Sequence, residues 1–403
     1  VLGAVLVIGG SVADVARRTW PNALFGSREM TYVGKISYSL YLWHWPVLVL
    51  LRWTTGLESV TSLVTAAVLA FGLAMVSYHG VEHGAWWRRS VSGWKPGRTA
   101  AYGGVGLIVC AVCLGAVLKS QPWTSLSVTR ESRTWYPNAS PARAVALMVP
   151  GSVLAGRKVF VWGDSHAGAY STMLQETRVR TGAHVFTLSR GGCAIAGLQS
   201  PASAACADRI EATIAEIKSK AAAGDIVFLA SLRVPRLGDQ WEAFQTATPA
   251  LASGPQPSLS ARQTESINEA HLIVAALEQA GLQVVIDAPK PIFKSPPFRC
   301  SDWFNAHNPI CAGGFVLERA FLEAHRKPTM DALAQLKGLH PALEVWDPLP
   351  VLCPGSSCSA FDEGRPLFFD GDHLSGHGNR VLLPAFLSML TAVAQRQTGP
   401  KPS

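Results

Sequence analysis

At 403 residues the chain is long enough for two or three domains, and at 48% hydrophobic and only 15% charged it is too apolar for an ordinary soluble enzyme. Its net charge of +8 is modest, and much of the N-terminal surplus lies between apolar runs, which marks a topology signal and excludes a nucleic-acid patch. Residues 1–118 carry the long apolar runs, whereas residues 158–395 have the composition of a normal globular domain.

In chain order, Val1–Gly10 is an apolar stub too short to cross a bilayer, with neither an initiator methionine nor a signal-peptide pattern. The chain is therefore expected to begin inside a larger membrane protein. Three stretches are predicted to span: Ile36–Trp53, Val60–Tyr78 and Ala101–Leu118. Each has about 18 residues with almost no charge, near the length a bilayer core requires. Arg17, Arg18, Arg28 and Lys35 precede the first, and Arg88, Arg89, Lys95 and Arg98 separate the second from the third. The loop Thr54–Ser59 has no Lys or Arg. Positive charge collects on the cytoplasmic side, so both basic loops belong there and the third span exits to the far side.

The first span holds Gly34-Lys35-Ile36-Ser37-Tyr38-Ser39-Leu40-Tyr41-Leu42-Trp43-His44-Trp45-Pro46, and the second ends in Ser77-Tyr78-His79-Gly80-Val81-Glu82. These resemble a late transmembrane helix and a helix ending of the membrane acyltransferase-3 family; His83-Gly84 stand where that family often has Pro after the Glu. The resemblance implies a multi-pass protein of the bacterial inner membrane. Family members with an extra helix and a C-terminal SGNH domain acylate extracytoplasmic glycans such as lipopolysaccharide O-antigen. It also implies an acyl donor, acetyl-CoA, used through an early helix with basic and His residues. That helix is absent here, so these residues alone are not expected to make a complete acyl-CoA-using enzyme. Tyr41, Trp43 and Trp45 also suit an interfacial aromatic belt. His44 within a span is costly unless partnered, which makes it the functional candidate of the membrane part.

Residues 119–157 are rich in Pro, Ser, Thr and Arg, but Trp123, Trp135 and Tyr136 are more than a linker needs, so part of the segment should pack on the globular domain. Asn138-Ala139-Ser140 matches a glycosylation sequon by chance. From Lys158 the pattern alternates. Strands are predicted over Val159–Trp162, His184–Leu188, Ile226–Ala230, Val284–Asp287 and Leu343–Trp346. Helices are predicted over Gly168–Arg180, Ala207–Ala222, Arg262–Ala280, Val316–Leu336 and Gly378–Gln395. Such alternation argues a three-layer α/β domain with a parallel sheet covered on both faces, whose ligands sit at the carboxyl ends of the strands.

The first strand runs into Gly163-Asp164-Ser165-His166, a tight turn with a helix behind it, which projects the Ser165 hydroxyl above the sheet edge. Near the other end, Asp370-Gly371-Asp372-His373 places a carboxylate three residues before a histidine. That carboxylate can hold the imidazole by Nδ1 and leave Nε2 to take a proton from serine. A lone Gly-Asp-Ser is common in loops; both blocks, in this order, are specific. They resemble the SGNH hydrolase superfamily, a flavodoxin-like fold with a Gly-Asp-Ser turn and an Asp-x-x-His loop. On this reading Ser165 is nucleophile, His373 base and Asp370 its orienter, with Asp372 and His377 as nearby alternatives. Asp164 should bond within its own turn, and His166 has no role beyond the family pattern. The oxyanion needs donors. Ser165 N–H is one, and the resemblance implies Gly192, or less readily Gly191, as another. The superfamily's Asn block is missing after Ile226–Ala230, where Ser231-Leu232-Arg233 stands, so Arg233 is the candidate replacement. A hole with fewer donors suits acyl transfer better than free hydrolysis.

Cys110 and Cys113 fall in an apolar run where packing is their default role. The other six cysteines fall as three close pairs, and local bonding is expected: Cys193–Cys206, Cys300–Cys311 and Cys353–Cys358. Disulfides require an oxidising compartment, which puts the globular part outside the cytosol, in agreement with the charge argument. No zinc-ligand spacing appears, so neither a metal nor a cofactor is expected in this stretch. The expected organisation is membrane helices at 1–118, a periplasmic extension at 119–157 and an SGNH domain at 158–398. The expected function is an O-acyltransferase that carries an acyl group, acetyl, on Ser165 to a cell-envelope glycan. Its partners would be that glycan, the lipid bilayer and the preceding transmembrane helices, and no nucleic acid. A membrane-tethered glycan O-acyl esterase and a non-catalytic glycan-binding domain are the competing readings.

Overall fold

The computed structural model describes residues 26–84, 89–90, 93–138, 151–238, 240 and 259–396. Val1–Gly10, Arg17, Arg18, Arg88 and two residues of the sequon, Ala139 and Ser140, lie outside the described residues. The chain divides into two compact units, the first to Gln121 together with His307–Pro309, the second from Pro122 to Ala306 and from Ile310 on.

The first unit is built of α1 (Arg28–Thr54), α2 (Val60–Ser77) and most of α3 (Pro96–Thr124). Serines start the first two helices: Ser27 Oγ accepts the Met30 N–H at 3.2 Å and Ser59 Oγ accepts the Ser62 N–H at 3.0 Å. Ala66, Ala70 and Ala74 recur every fourth residue on α2 and are buried, and the first two pack with Val47 of α1. Small side chains on one face let helix backbones approach closely. One π-helical turn, Tyr78–Glu82, extends α2 and brings Glu82 to the Ser39 hydroxyl of α1. Helix α3 buries no residue. Two of the three expected spans are helices long and apolar enough to cross a membrane, Val60–Glu82 and Pro96–Thr124. The first expected span, Ile36–Trp53, is helical within α1 but less apolar, because His44, Arg52 and the hydroxyls of Ser37, Tyr38, Ser39 and Tyr41 dilute it.

The second unit holds a five-stranded parallel sheet of β1 (Lys158–Gly163), β2 (His184–Ser189), β3 (Ile226–Ala230), β4 (Gln283–Asp287) and, after a short β5 (Val316–Glu318), β6 (Glu344–Trp346). Their spatial order is β2-β1-β3-β4-β6, all pairs parallel. Central strands are apolar on both sides because both faces are covered. Val159, Val161, Ile226, Phe228 and Val285 enter one core, while Phe160, Trp162, Val227, Leu229, Val284 and Ile286 enter the other. The covering helices are α4 (Ser165–Ala169), α5 (Ser171–Thr181), α6 (Ile210–Lys220), α7 (Leu259–Glu278), α8 (Arg319–Leu339) and α9 (Gly376–Gln395). The expected helix over Val316–Leu336 begins later, since Val316–Glu318 pairs antiparallel with Ser357–Ser359. All three expected disulfides are formed, and Cys110 and Cys113 are free.

Part of the extension packs on this unit. Trp135 is buried edge-on to Phe361, Pro137 O accepts the Thr172 hydroxyl at 2.5 Å, and the Asp302 carboxylate accepts the Val128 N–H at 2.8 Å.

Candidate active site

In this strand order β2 is laid on one side of β1 and the next strand, β3, on the other, and the crevice at such a reversal is where α/β sheets bind ligands. Ser165 stands there, directly after β1. A Cβ on Gly163 would sit 1.6 Å from the Ala230 carbonyl oxygen, so only glycine lets β1 pass β3 at this point. Asp164 fixes the turn that follows: its Oδ1 accepts the His166 N–H at 2.8 Å and its Oδ2 the Leu232 N–H at 2.9 Å. The second of these bonds reaches the loop after β3, so Asp164 does more than close its own turn.

The second block comes from the loop before α9, held by Ser375 Oγ, which accepts the Gly378 N–H at 2.9 Å. Gln240 and Phe293 pin this loop from two sides, through Gln240 Oε1 to Gly371 N–H at 2.5 Å and Phe293 N–H to Gly371 O at 2.7 Å. Asp370 is fully buried, and its Oδ1 accepts the N–H groups of Asp372 and His373 at 3.0 and 2.7 Å. Its Oδ2 accepts His373 Nδ1–H at 2.8 Å, and His373 Nε2 lies 2.8 Å from Ser165 Oγ. The structure thus brings Ser165, His373 and Asp370 into one hydrogen-bonded line. Burial works against a charge on His373, but Asp370 and Asp372 outweigh it and its pKa is pushed up to about 9.

Other expected residues are placed differently. Arg233 is no oxyanion donor: its guanidinium is buried and every N–H is spent inside the fold. Nε donates to Ala196 O, Nη1 to Asp287 and Ser231 O, and Nη2 to Ile195 O and Leu229 O. Position after a strand does not reveal whether an arginine turns outward, and here Asp287 on β4 draws it in. His377 pairs with Asp362 at 3.1 Å, away from the line. Gly192, at φ +78°, lies in the turn Arg190–Cys193, which is tied to the end of β1 by Arg190 N–H to Gly163 O at 3.0 Å. It therefore sits at the same strand end as Ser165. His44, in the first unit, bonds through Nδ1 to Tyr41 O at 2.6 Å and lines an apolar cleft with Leu40, Leu48, Leu63 and Ala66.

Sequence reasoning gave no role to His166 or Arg236. His166 is buried and stacked on His373 with ring centroids 4.5 Å apart. Burial, then the positive charge of Lys290, holds its pKa below the ordinary value. Arg236 Nε donates to Asp372 Oδ2. The His in the turn motif was the only signal for the first; Arg236 had none, because its role depends on two loops meeting. Donor atoms of His166, Asp372 and His373 lie within 4.8 Å of one another. Both His373 nitrogens are committed, to Asp370 and Ser165, and Arg236 takes one oxygen of Asp372.

Comparison with known proteins adds a family. Residues 138–388 match the model of an SGNH domain fused to AT3 domains, and no AT3 domain is matched within the chain. No curated protein matches. Among solved structures, the periplasmic domain of the lipopolysaccharide acetyltransferase of Salmonella ser. Paratyphi A is similar at 12% identity, over 61% of this chain and 91% of that one, with a TM-score of 0.40. A provisionally assigned acylhydrolase from Bacteroides fragilis is similar at 12% identity, over 68% and 98%, with a TM-score of 0.33.

Proposed function

The chain belongs to the family of SGNH domains fused to AT3 domains, and on that premise we propose that it is an O-acyltransferase that carries an acyl group on Ser165 to a glycan outside the cytoplasm. The observation that carries this reading is the line Ser165 Oγ, His373, Asp370, with 2.8 Å at each joint. As Ser165 Oγ attacks the acyl carbonyl carbon, its proton passes to His373 Nε2, which then protonates the departing group. Asp370 holds Nδ1–H and steadies the imidazolium that forms. The oxyanion falls to backbone donors. The N–H groups of His166 and Ala167 are spent on Asp164, which leaves that of Ser165 at the head of α4, with Gly192 from the neighbouring turn. The second half reverses the steps: His373 takes a proton from a sugar hydroxyl, the sugar oxygen attacks the acyl-serine, and Ser165 leaves with its proton restored.

The acyl group is read as acetyl and the acceptor as a cell-envelope polysaccharide such as lipopolysaccharide O-antigen. The membrane helices would place the domain on the periplasmic face of the inner membrane, where an acyltransferase-3 part delivers the acyl group across the bilayer. Three disulfides and the basic residues at the start of α3, Lys95 just before it and Arg98 in its first turn, support that side for the domain. The test is acetyl transfer to the glycan by the full chain in membranes. Ser165→Ala and His373→Ala should each abolish it. Normal transfer by both variants would reduce the domain to a binding module, and acetyl release from the glycan in place of addition would make it an esterase.

A further inference from the structure

His373 Nδ1 faces two buried carboxylates. Asp370 Oδ2 is 2.8 Å away and Asp372 Oδ1 3.1 Å away. One N–H cannot satisfy both, so the second carboxylate acts on the ring by charge. Asp372 is 1% exposed, and its other oxygen takes the Arg236 Nε–H and lies 3.6 Å from His166 Nε2, beyond hydrogen-bond reach. Among the described residues, neither nitrogen of the buried His166 has a hydrogen-bond partner, although its ring lies against His373. Asp372 is therefore where His373, His166 and Arg236 converge.

We propose that Asp372 is a positioning residue that governs how readily His373 gives up its resting proton, and so when Ser165 can be activated. The inference rests on the reading of Ser165 and His373 as nucleophile and base. The charged groups around the imidazole support it. From its own loop come Asp370 and Asp372, both in contact. From the turn after β1 come Asp164, spent on backbone N–H groups, and His166. From the loop after β3 come Arg233, spent on Asp287, and Arg236, on Asp372. From the loop after β4 comes Lys290, 3.5 Å from Asp287 and over the Tyr170 ring. Among the described residues, two carboxylates thus touch His373, while Arg233 and Lys290 are held by Asp287, and Arg236 draws on Asp372 itself. A pKa of about 9 for His373 agrees with this count. The group that relieves it differs from the group that orients it: Asp370 takes Nδ1–H with one oxygen and the backbone N–H groups of its own loop with the other, whereas Asp372 shares its charge with a half-exposed arginine at the rim.

The experiment is an NMR titration of His373 in the full chain carrying Ser165→Ala, in detergent micelles, with and without Asp372→Asn. The midpoint should lie near 9 in the parent and fall by a unit or more with Asp372→Asn. With Ser165 intact, the acid limb of p-nitrophenyl acetate cleavage should fall equally, raising the rate at neutral pH about tenfold per unit. An unmoved midpoint in folded Asp372→Asn overturns the proposal. Arg236→Gln, at an exposed site, is the second variant: it removes the competitor for Asp372 and should raise the midpoint, and no movement there also counts against the proposal. The titration needs no turnover. Loss of acyl transfer with the midpoints as expected would strike the functional reading and leave this inference standing.

Discussion

Ser165, His373 and Asp370 act as one unit, so their losses should not add. Each of Ser165→Ala and His373→Ala should cost about 10⁴-fold or more in acyl transfer, and the double variant little beyond that. Steady-state transfer rates check this. Arg233 belongs to a different category. Arg233→Ala takes from buried Asp287 the closer of its two cations, leaving Lys290 at 3.5 Å, and should cost about 3–5 kcal/mol of stability, read by chemical denaturation. The raised pKa of His373 also ties folding to pH. Protonation of His373 favours the fold; that contribution is whole below the unfolded value of about 6.5 and is lost as pH rises through about 9. Asp372 works in the opposite sense. Burial opposes its charge, but His166 and His373 outweigh burial and hold its carboxyl low, so its contribution is present above about 3.9 and lost in acid. The serine turn and the Asp-x-x-His loop were legible in sequence because each is local. The convergence on Asp372 was not, because it assembles residues from three loops. Arg233 was misread for the same reason: its partner is Asp287, 54 residues away.

Elements carry the next level of evidence. All five sheet strands were legible, the three central ones because strands with both faces covered read as apolar runs. Their order was not, because strand pairing depends on contacts that span the whole domain. The small antiparallel pair of β5 with Ser357–Ser359 was hidden by its length: three residues show no period. In the extension, Trp135 was legible as an aromatic that a linker would not need. Trp135→Ala should cost about 3–5 kcal/mol, read as a lower denaturation midpoint, and a change within error would show that the segment is only a tether. The Cys193–Cys206 bond ties the Gly192 turn to the chain just before α6. Its removal should cost about 2–4 kcal/mol and lower transfer as well, because the turn carries a proposed oxyanion donor.

Across the whole molecule, the division into a membrane-type helical unit and an α/β unit follows from composition alone, and the structure draws the boundary at Gln121, close to the change in hydropathy. What composition blurred was the first helix, whose hydroxyls, His44 and flanking charges weaken a signal that length supplies. The proposed topology is tested by fusions: a reporter after Lys95 should read cytoplasmic and one after Ser125 extracytoplasmic, and the reverse pattern would contradict it. The central claim is that Ser165 carries the acyl group. Peptide mass spectrometry of the full chain, quenched in acid during turnover with an acetyl donor, tests it most directly. The account predicts one acetyl group on the peptide holding Ser165, retained when acceptor glycan is withheld, discharged when it is added, and missing in Ser165→Ala. Transfer proceeding at full rate with that peptide unmodified throughout would contradict it.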